Sequence, residues 1–391
     1  AVERGTSVYL VDRTVPMLPE RLSNELCSLR PHETSLCFSA VFTLNENLDI
    51  LEEWFGRTVI HSDRRFTYAE AQEIIETGRG DYAEEVLTLN RLAQALRKER
   101  FRNGAISFDR EEVKFRLDEN GKPLGVYFKE QKESNQMIEE FMLLANRRVA
   151  EFCGKRRTES GRSAERTMVY RVHDTPSEEK LDRFRQFILR FGHIFKATKG
   201  RAVAKELNKL FKQIKGTTEE NAVATMAVRS MAKAYYTTDN IGHYGLAFPY
   251  YTHFTSPIRR YPDLLLHRTI KGILSKRSYT PAVEFDDAEL MTGYHARKLG
   301  SNPEAKPSGA AKPLSRQEAK KAVWTRLGII CSAAERRADD ASREVMKFLK
   351  CQYLLSADQK SFQATVTGMC PAGIFVTLSD MPIEGFVHIS Q

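Results

Sequence analysis

The sequence predicts an α+β body, a mixed sheet with helices, followed by the opening strands of an all-β barrel of the OB type. Three observations carry this reading. Apolar and polar residues alternate near the N-terminus as in paired strands, and the middle of the chain shows helical spacing of its apolar residues. At about residue 361 the composition shifts to short β-rich runs broken by glycine and proline.

With 391 residues, 41% of them apolar, the chain can bury a sizeable core and is long enough for two or three domains. Lys and Arg number 60 against 51 Asp and Glu, a formal charge of +9. Such a surplus favours a polyanionic partner, nucleic acid first, although charge alone fits a merely basic soluble protein equally well. The six cysteines are scattered without a C-x-x-C pair, so neither a disulfide framework nor a zinc site is indicated. No apolar run approaches the roughly 18 residues of a membrane span, and the first residues lack the basic-then-apolar order of a signal peptide. No membrane partner is expected, and a reducing cytoplasm is the simplest home.

In chain order, a loop-rich opening is punctuated by Pro16, Pro19 and Pro31. Residues 35–47 alternate as a strand, with 58–68 as its partner. Leu89, Leu92, Ala93 and Leu96 fall at i, i+3, i+4 and i+7 and predict an amphipathic helix over 85–101. Met137, Phe141, Ala145, Val149 and Phe152 belong to a second helix ending near Gly154, whose polar stripe carries Glu139 and Asn146. A third helix opens on a capping box of Thr175 and Glu178, takes Pro176 in its first turn and ends before Gly192. Further helices are read over 218–236 and 257–275, with Thr255 and Ser256 as caps before Pro257. Residues 298–321, rich in Pro, Ala, Ser and Lys, read as a flexible basic loop, and a long helix follows over about 326–355. The runs FQATVT, GIFVTL and GFVHIS then alternate as strands. They would only begin a five-stranded barrel. The expected division is therefore a first domain over 1–356 and an incomplete OB-type domain over 357–391.

Residues 250–268, YYTHFTSPIRRYPDLLLHR, place two adjacent guanidiniums, Arg259 and Arg260, after a Pro-Ile step. Neighbouring cations repel unless an anion lies between them. Either a protein carboxylate such as Asp263 supplies it, or a phosphate does. The longer run HYGLAFPYYTHFTSPIRRYPDLLLHR stands in a fixed order with RGTSVYL, VPMLPERLSNELCSLRP, MIEEFMLLAN, RVHDTPS and SAAERRADDAS. In these motifs the chain closely resembles the catalytic (RNB-type) domain of the ribonuclease R and ribonuclease II family, and ribonuclease R the more. The likeness runs from residue 3 to about 356, and the C-terminal strands resemble the start of the RNA-binding OB barrel that follows in such enzymes.

The resemblance implies a processive 3′-to-5′ exoribonuclease that threads single-stranded RNA through a basic channel and releases nucleoside 5′-monophosphates. It implies a monomer, with ribosomes or RNA-decay factors as candidate associates. It also implies magnesium in a two-metal site, held in the family by four aspartates in a D-x5-D-F-D-D pattern upstream of R-G-T-S. Those ligands are expected upstream of residue 1, which would leave this chain without metal ligands and poorly active by itself. A non-catalytic RNA-binding member of the family is the alternative. Glu284, Phe285, Asp286 and Asp287 imitate the end of the acidic pattern, but they follow the arginine motif instead of preceding it. They read as an acidic helix start after Pro281.

Single residues carry over as follows. Arg259 matches the family's active-centre arginine, whose planar fork holds the scissile phosphate and binds harder as charge builds in the transition state. Tyr68 matches a tyrosine that stacks on a terminal base, a contact worth about 1–3 kcal/mol and indifferent to sequence. Glu139 and Asn146 are candidates for the ribose hydroxyls that separate RNA from DNA, with Glu139 and Glu140 not yet distinguished. Arg171 and His173 are expected beside the channel. Arg260 and Tyr261 either grip phosphate or pack.

Overall fold

The computed structural model describes residues 1–107, 112–129, 131–157, 163–217, 219–283, 285, 315–356, 361–378, 381 and 383–390. Glu284, Asp286, Asp287 and most of the expected loop 298–321 lie outside the described residues.

After two short strands, β1 (Val8–Tyr9) and β2 (Thr14–Val15), the chain forms a long antiparallel hairpin of β3 (Thr34–Leu44) and β4 (Ile50–His61). Period-two alternation turns Phe38, Ala40 and Phe42 to one face, where they pack with Phe55 against Val149, Cys153, Leu266 and Ile270. Three helices follow: α1 (Tyr68–Thr77), α2 (Ala83–Arg102) and α3 (Glu133–Gly154). Thr67 and Glu70 close a reciprocal capping box at the start of α1. Between α2 and α3 runs a hairpin of β5 (Glu112–Leu117) and β6 (Pro123–Lys129), and β7 (Lys155–Arg157) and β8 (Ser163–Glu165) form another.

A second core belongs to α4 (Glu178–Leu189), α5 (Gly200–Ile214) and α6 (Glu220–Ser230). Leu181, Phe184 and Ile188 meet Val203, Leu207, Leu210 and Ile214, with Val223 and Ala227 beside them. The strand β9 (Tyr170–Val172) pairs antiparallel with β10 (Tyr235–Thr237), and α7 (Tyr261–Leu274) and α8 (Arg316–Ser356) complete the body. At the C-terminus β11 (Ala364–Cys370), β12 (Gly373–Leu378) and β13 (Glu384–His388) form an antiparallel meander, the arrangement with which an OB barrel begins.

Several boundaries differ from expectation for local reasons. The cap of α4 is Ser177, whose hydroxyl accepts from the Lys180 N–H, so Thr175 and Pro176 precede the helix. The expected helix over 218–236 stops at Ser230, because 235–237 is drawn into the sheet opposite β9. The helix expected from Pro257 starts at Tyr261, with Pro262 in its first turn. Finally, α8 opens at Arg316 and takes the last part of the expected loop. Ser315 and Glu318 bond reciprocally there, a capping box written in the sequence as S-R-Q-E.

Candidate functional site

The segment 251–260 has no regular structure of its own and is held by side chains from its neighbours. From α3, the Asn146 carbonyl oxygen accepts the N–H groups of Phe254 (2.8 Å) and Thr255 (3.3 Å), and its amide donates to the Tyr251 hydroxyl (3.3 Å). The buried Thr252 hydroxyl donates to the Val169 carbonyl (2.8 Å). From α7, Asp263 is 0% exposed; it accepts the Ser256 N–H (2.7 Å) and two donors of Arg260, Nε (2.9 Å) and Nη2 (2.8 Å).

The N-terminal R-G-T-S run holds the other side. The Arg259 carbonyl accepts from the Ser7 N–H (2.9 Å) and the Thr6 hydroxyl (3.1 Å), and the Tyr261 N–H donates to the Gly5 carbonyl (2.9 Å). Gly5 sits at φ +67°, and a Cβ there would stand 2.5 Å from the Cβ of Ala334 on α8. Glycine alone lets this run pass between α8 and the arginines.

The two adjacent guanidiniums therefore have different fates. Arg260 is a bidentate ion pair with Asp263, largely withdrawn from solvent. Arg259 is half-buried, its peptide is fixed from both sides, and among the described residues its guanidinium has neither a hydrogen bond nor an ion pair. Of the two readings open for Arg260, the structure favours a structural one, because its fork is spent on a protein carboxylate. For Tyr261 packing likewise prevails: at 3% exposure it lies among Met17, Leu265, Trp324 and Leu327.

Asn146, 3% exposed, also departs from its expected place at a ribose, since both ends of its amide serve the protein. Its role in the structure is to shape the loop that carries Arg259. Replacing Asn146 by Ala will orphan two backbone donors, one of them buried, and cost about 2–4 kcal/mol, read as the shift of the chemical-denaturation midpoint. A loss below about 0.5 kcal/mol would contradict this role.

Arg171 is committed to Glu335 of α8 (Nη1 to Oε2, 2.5 Å) and lies 4.7 Å over the Tyr236 ring. His173 is buried. Its Nδ1 accepts the Gly245 N–H (2.9 Å), so its proton sits on Nε2, which donates to the Ala232 carbonyl (2.8 Å). It is thus a neutral structural histidine, although its edge lines a cavity of about 410 Å³ together with Glu139, Arg97, Arg100 and Phe101. Glu140, buried, is ion-paired to Arg100. Glu139 is therefore the acid of the two that faces this cavity. Tyr68, 49% exposed in the first turn of α1, keeps its ring at the surface.

Sequence reading missed Glu335, Arg100 and Glu140 as pair members. Arg171 and Glu335 are 164 positions apart, and nothing local couples them. It also missed the histidine cluster. Burial first, and then neighbouring positive groups, push His243 down to about 3, while His173 and His253 are lowered mainly by burial. The His243 Nδ1 already accepts the Leu246 N–H (3.2 Å), which a proton would displace.

These pKa values are depressed in the fold, so below the ordinary histidine value of about 6.5 the unfolded chain binds more protons and stability falls with pH. Between pH 7.5 and 5 the denaturation midpoint should drop, with His243 alone contributing about 1–2 kcal/mol. The window lies above the carboxylate range, and a flat profile across it would contradict the buried neutral histidines.

Among the described residues no three His, Cys, Asp or Glu side chains gather where they could hold a metal ion, and Asp263 is already spent on Arg260. The described residues thus do not fit a magnesium site. No helix among them is long and apolar enough to cross a membrane.

Comparison with known proteins agrees with the motifs. The family model of the RNB domain matches residues 1–276. The chain belongs to the RNB domain family. Over its whole length this RNB chain is 34% identical to the ribonuclease R of Vibrio cholerae and to that of Escherichia coli, covering 44% of each. It therefore spans less than half the length of these curated relatives. Among solved structures, the apo form of Mycoplasma genitalium RNase R matches with a TM-score of 0.80 at 22% identity, over 100% of this chain and 55% of the other. The yeast pseudonuclease Ssd1 matches with a TM-score of 0.68 at 22% identity, over 99% of this chain and 43% of the other. The fold is thus the RNB-type α+β fold the sequence predicts.

Proposed function

We propose that this chain is the catalytic-domain part of a ribonuclease R-like 3′-to-5′ exoribonuclease that hydrolyses single-stranded RNA to nucleoside 5′-monophosphates. The observation that carries the proposal is the Arg259 guanidinium, fixed through its backbone and, among the described residues, without an anionic partner beside a twin that has one. Similarity at 34% identity over the whole chain to relatives named ribonuclease R supports it, as do the Mycoplasma genitalium RNase R complexes with ribose-methylated single-stranded RNA and with double-stranded RNA.

In this reading residues 1–356 form the RNB-type domain and 357–391 begin an OB-type domain. Arg259 holds two oxygens of the scissile phosphate, Tyr68 stacks on a base, and Glu139 meets a ribose hydroxyl. Arg171, through Glu335, and Asn146 keep the arginine loop in register. Magnesium-dependent water attack belongs to the whole protein, and no residue described here is given a ligand's role. Action as a monomer in the cytoplasm, near ribosomes or decay factors, is part of the same proposal.

The fold is shared with a pseudonuclease, so a non-catalytic RNA-binding role is the rival reading. The deciding experiment incubates the full-length protein with 5′-labelled single-stranded RNA and its DNA counterpart, with magnesium or with chelator. Stepwise shortening of RNA from the 3′ end, lost with chelator, is expected. Tight, salt-sensitive RNA binding without shortening would establish the rival.

A further inference from the structure

A second cavity, of about 390 Å³, lies between α2, α3, the start of α5 and the turn at 247–249. It is lined by Arg100, Arg147, Arg201, Glu99, Glu140 and Glu151, but these charges are not all balanced. Glu140 is neutralised by Arg100 and Arg97, and Glu151 by Arg148 and Lys155. Arg147 and Arg201, by contrast, have no ion pair among the described residues, and the Nε of Arg147 is a buried donor without any hydrogen-bond partner. The cavity thus carries two guanidiniums without a protein counter-ion among the described residues, and an anion is the group that would balance them.

The Arg147 guanidinium lies 5.3 Å from the centroid of the Phe248 ring, whereas Arg201 is exposed and its stem passes beside Gly104. Glu99, half-buried and also without an ion pair among the described residues, offers an acceptor on the same cavity wall. Leu143, Leu144 and Pro249 add an apolar side. Two guanidiniums for a phosphate, a carboxylate for hydroxyl or amino donors, and an apolar wall for a flat ring describe one compact ligand class.

We propose that this cavity binds a single nucleoside 5′-monophosphate through its phosphate, at a site separate from Arg259. The inference rests on the charges and volume of the cavity and not on hydrolysis by this protein, so the two readings fail separately.

The test is calorimetric titration of the full-length protein with adenosine 5′-monophosphate and with adenosine. Saturable binding of the monophosphate and none of the nucleoside is expected. R147Q and R201Q should each weaken binding by about tenfold or more. Arg201 is exposed, so R201Q keeps the fold and carries the test even if R147Q does not. Equal binding of monophosphate and nucleoside, or wild-type affinity in R201Q, would overturn the proposal. So would an R201-dependent site that takes a short oligoribonucleotide but not the monophosphate, since the phosphate would then belong to a strand.

Discussion

Replacing Arg260 by Met will cost the fold about 3–5 kcal/mol, whereas the same change at its neighbour Arg259 will cost less than about 0.5 kcal/mol. Asp263 lies fully buried at the start of α7 and has three donors, two of them from Arg260. Removing that guanidinium leaves a carboxylate in a low-dielectric interior with only the Ser256 N–H, which is the situation in which a broken buried ion pair is most expensive. Arg259 contributes to stability chiefly through its backbone, which accepts from Thr6 and Ser7 whatever side chain it carries. Chemical denaturation of R260M and R259M side by side reads the difference. Equal losses would mean that the two arginines do not divide the work as described.

The second large effect concerns turnover. Under the proposed function, R259K in the full-length protein should slow hydrolysis by about 10²–10³-fold. Lysine preserves the charge but replaces a planar fork by a point donor, so it cannot follow two phosphate oxygens as negative charge accumulates on them. RNA affinity should change little, because the charge remains and the rest of the strand is held elsewhere. A rise in KM with unchanged kcat would instead make Arg259 a ground-state binding residue.

What could be read from the sequence follows from how local the cause is. The strand β3 was legible because its inner residues Phe38, Ala40 and Phe42 alternate, but its partner is Ile50–His61, which shares only residues 58–61 with the expected 58–68; α2 and α3 were legible from their apolar spacing. The start of α8 was legible too, in the S-x-x-E box of Ser315 and Glu318, but the lysine- and proline-rich stretch before it was the louder signal. The strand β10 was lost inside an expected helix because its conformation comes from β9, some sixty positions earlier.

At the site, composition revealed a pair of arginines and a carboxylate within reach of both. Asp263 stands three residues after Arg260 and four after Arg259, and helical spacing serves either. The choice is tertiary. Gly5, Thr6 and Ser7 arrive from the far end of the chain and fix the Arg259 peptide, while Asp263 closes on Arg260. The same distance in sequence hid the partner of Arg171 on α8 and the unbalanced cations around Arg147.

The most direct measurement is the single-turnover rate at which full-length R259K releases nucleoside 5′-monophosphates from single-stranded RNA, set beside the wild type at matched thermal stability. A rate lower by about a hundredfold or more, with the melting temperature unmoved, is the predicted result. A variant that cuts as fast as the wild type would contradict the assignment of the Arg259 guanidinium to the reacting phosphate.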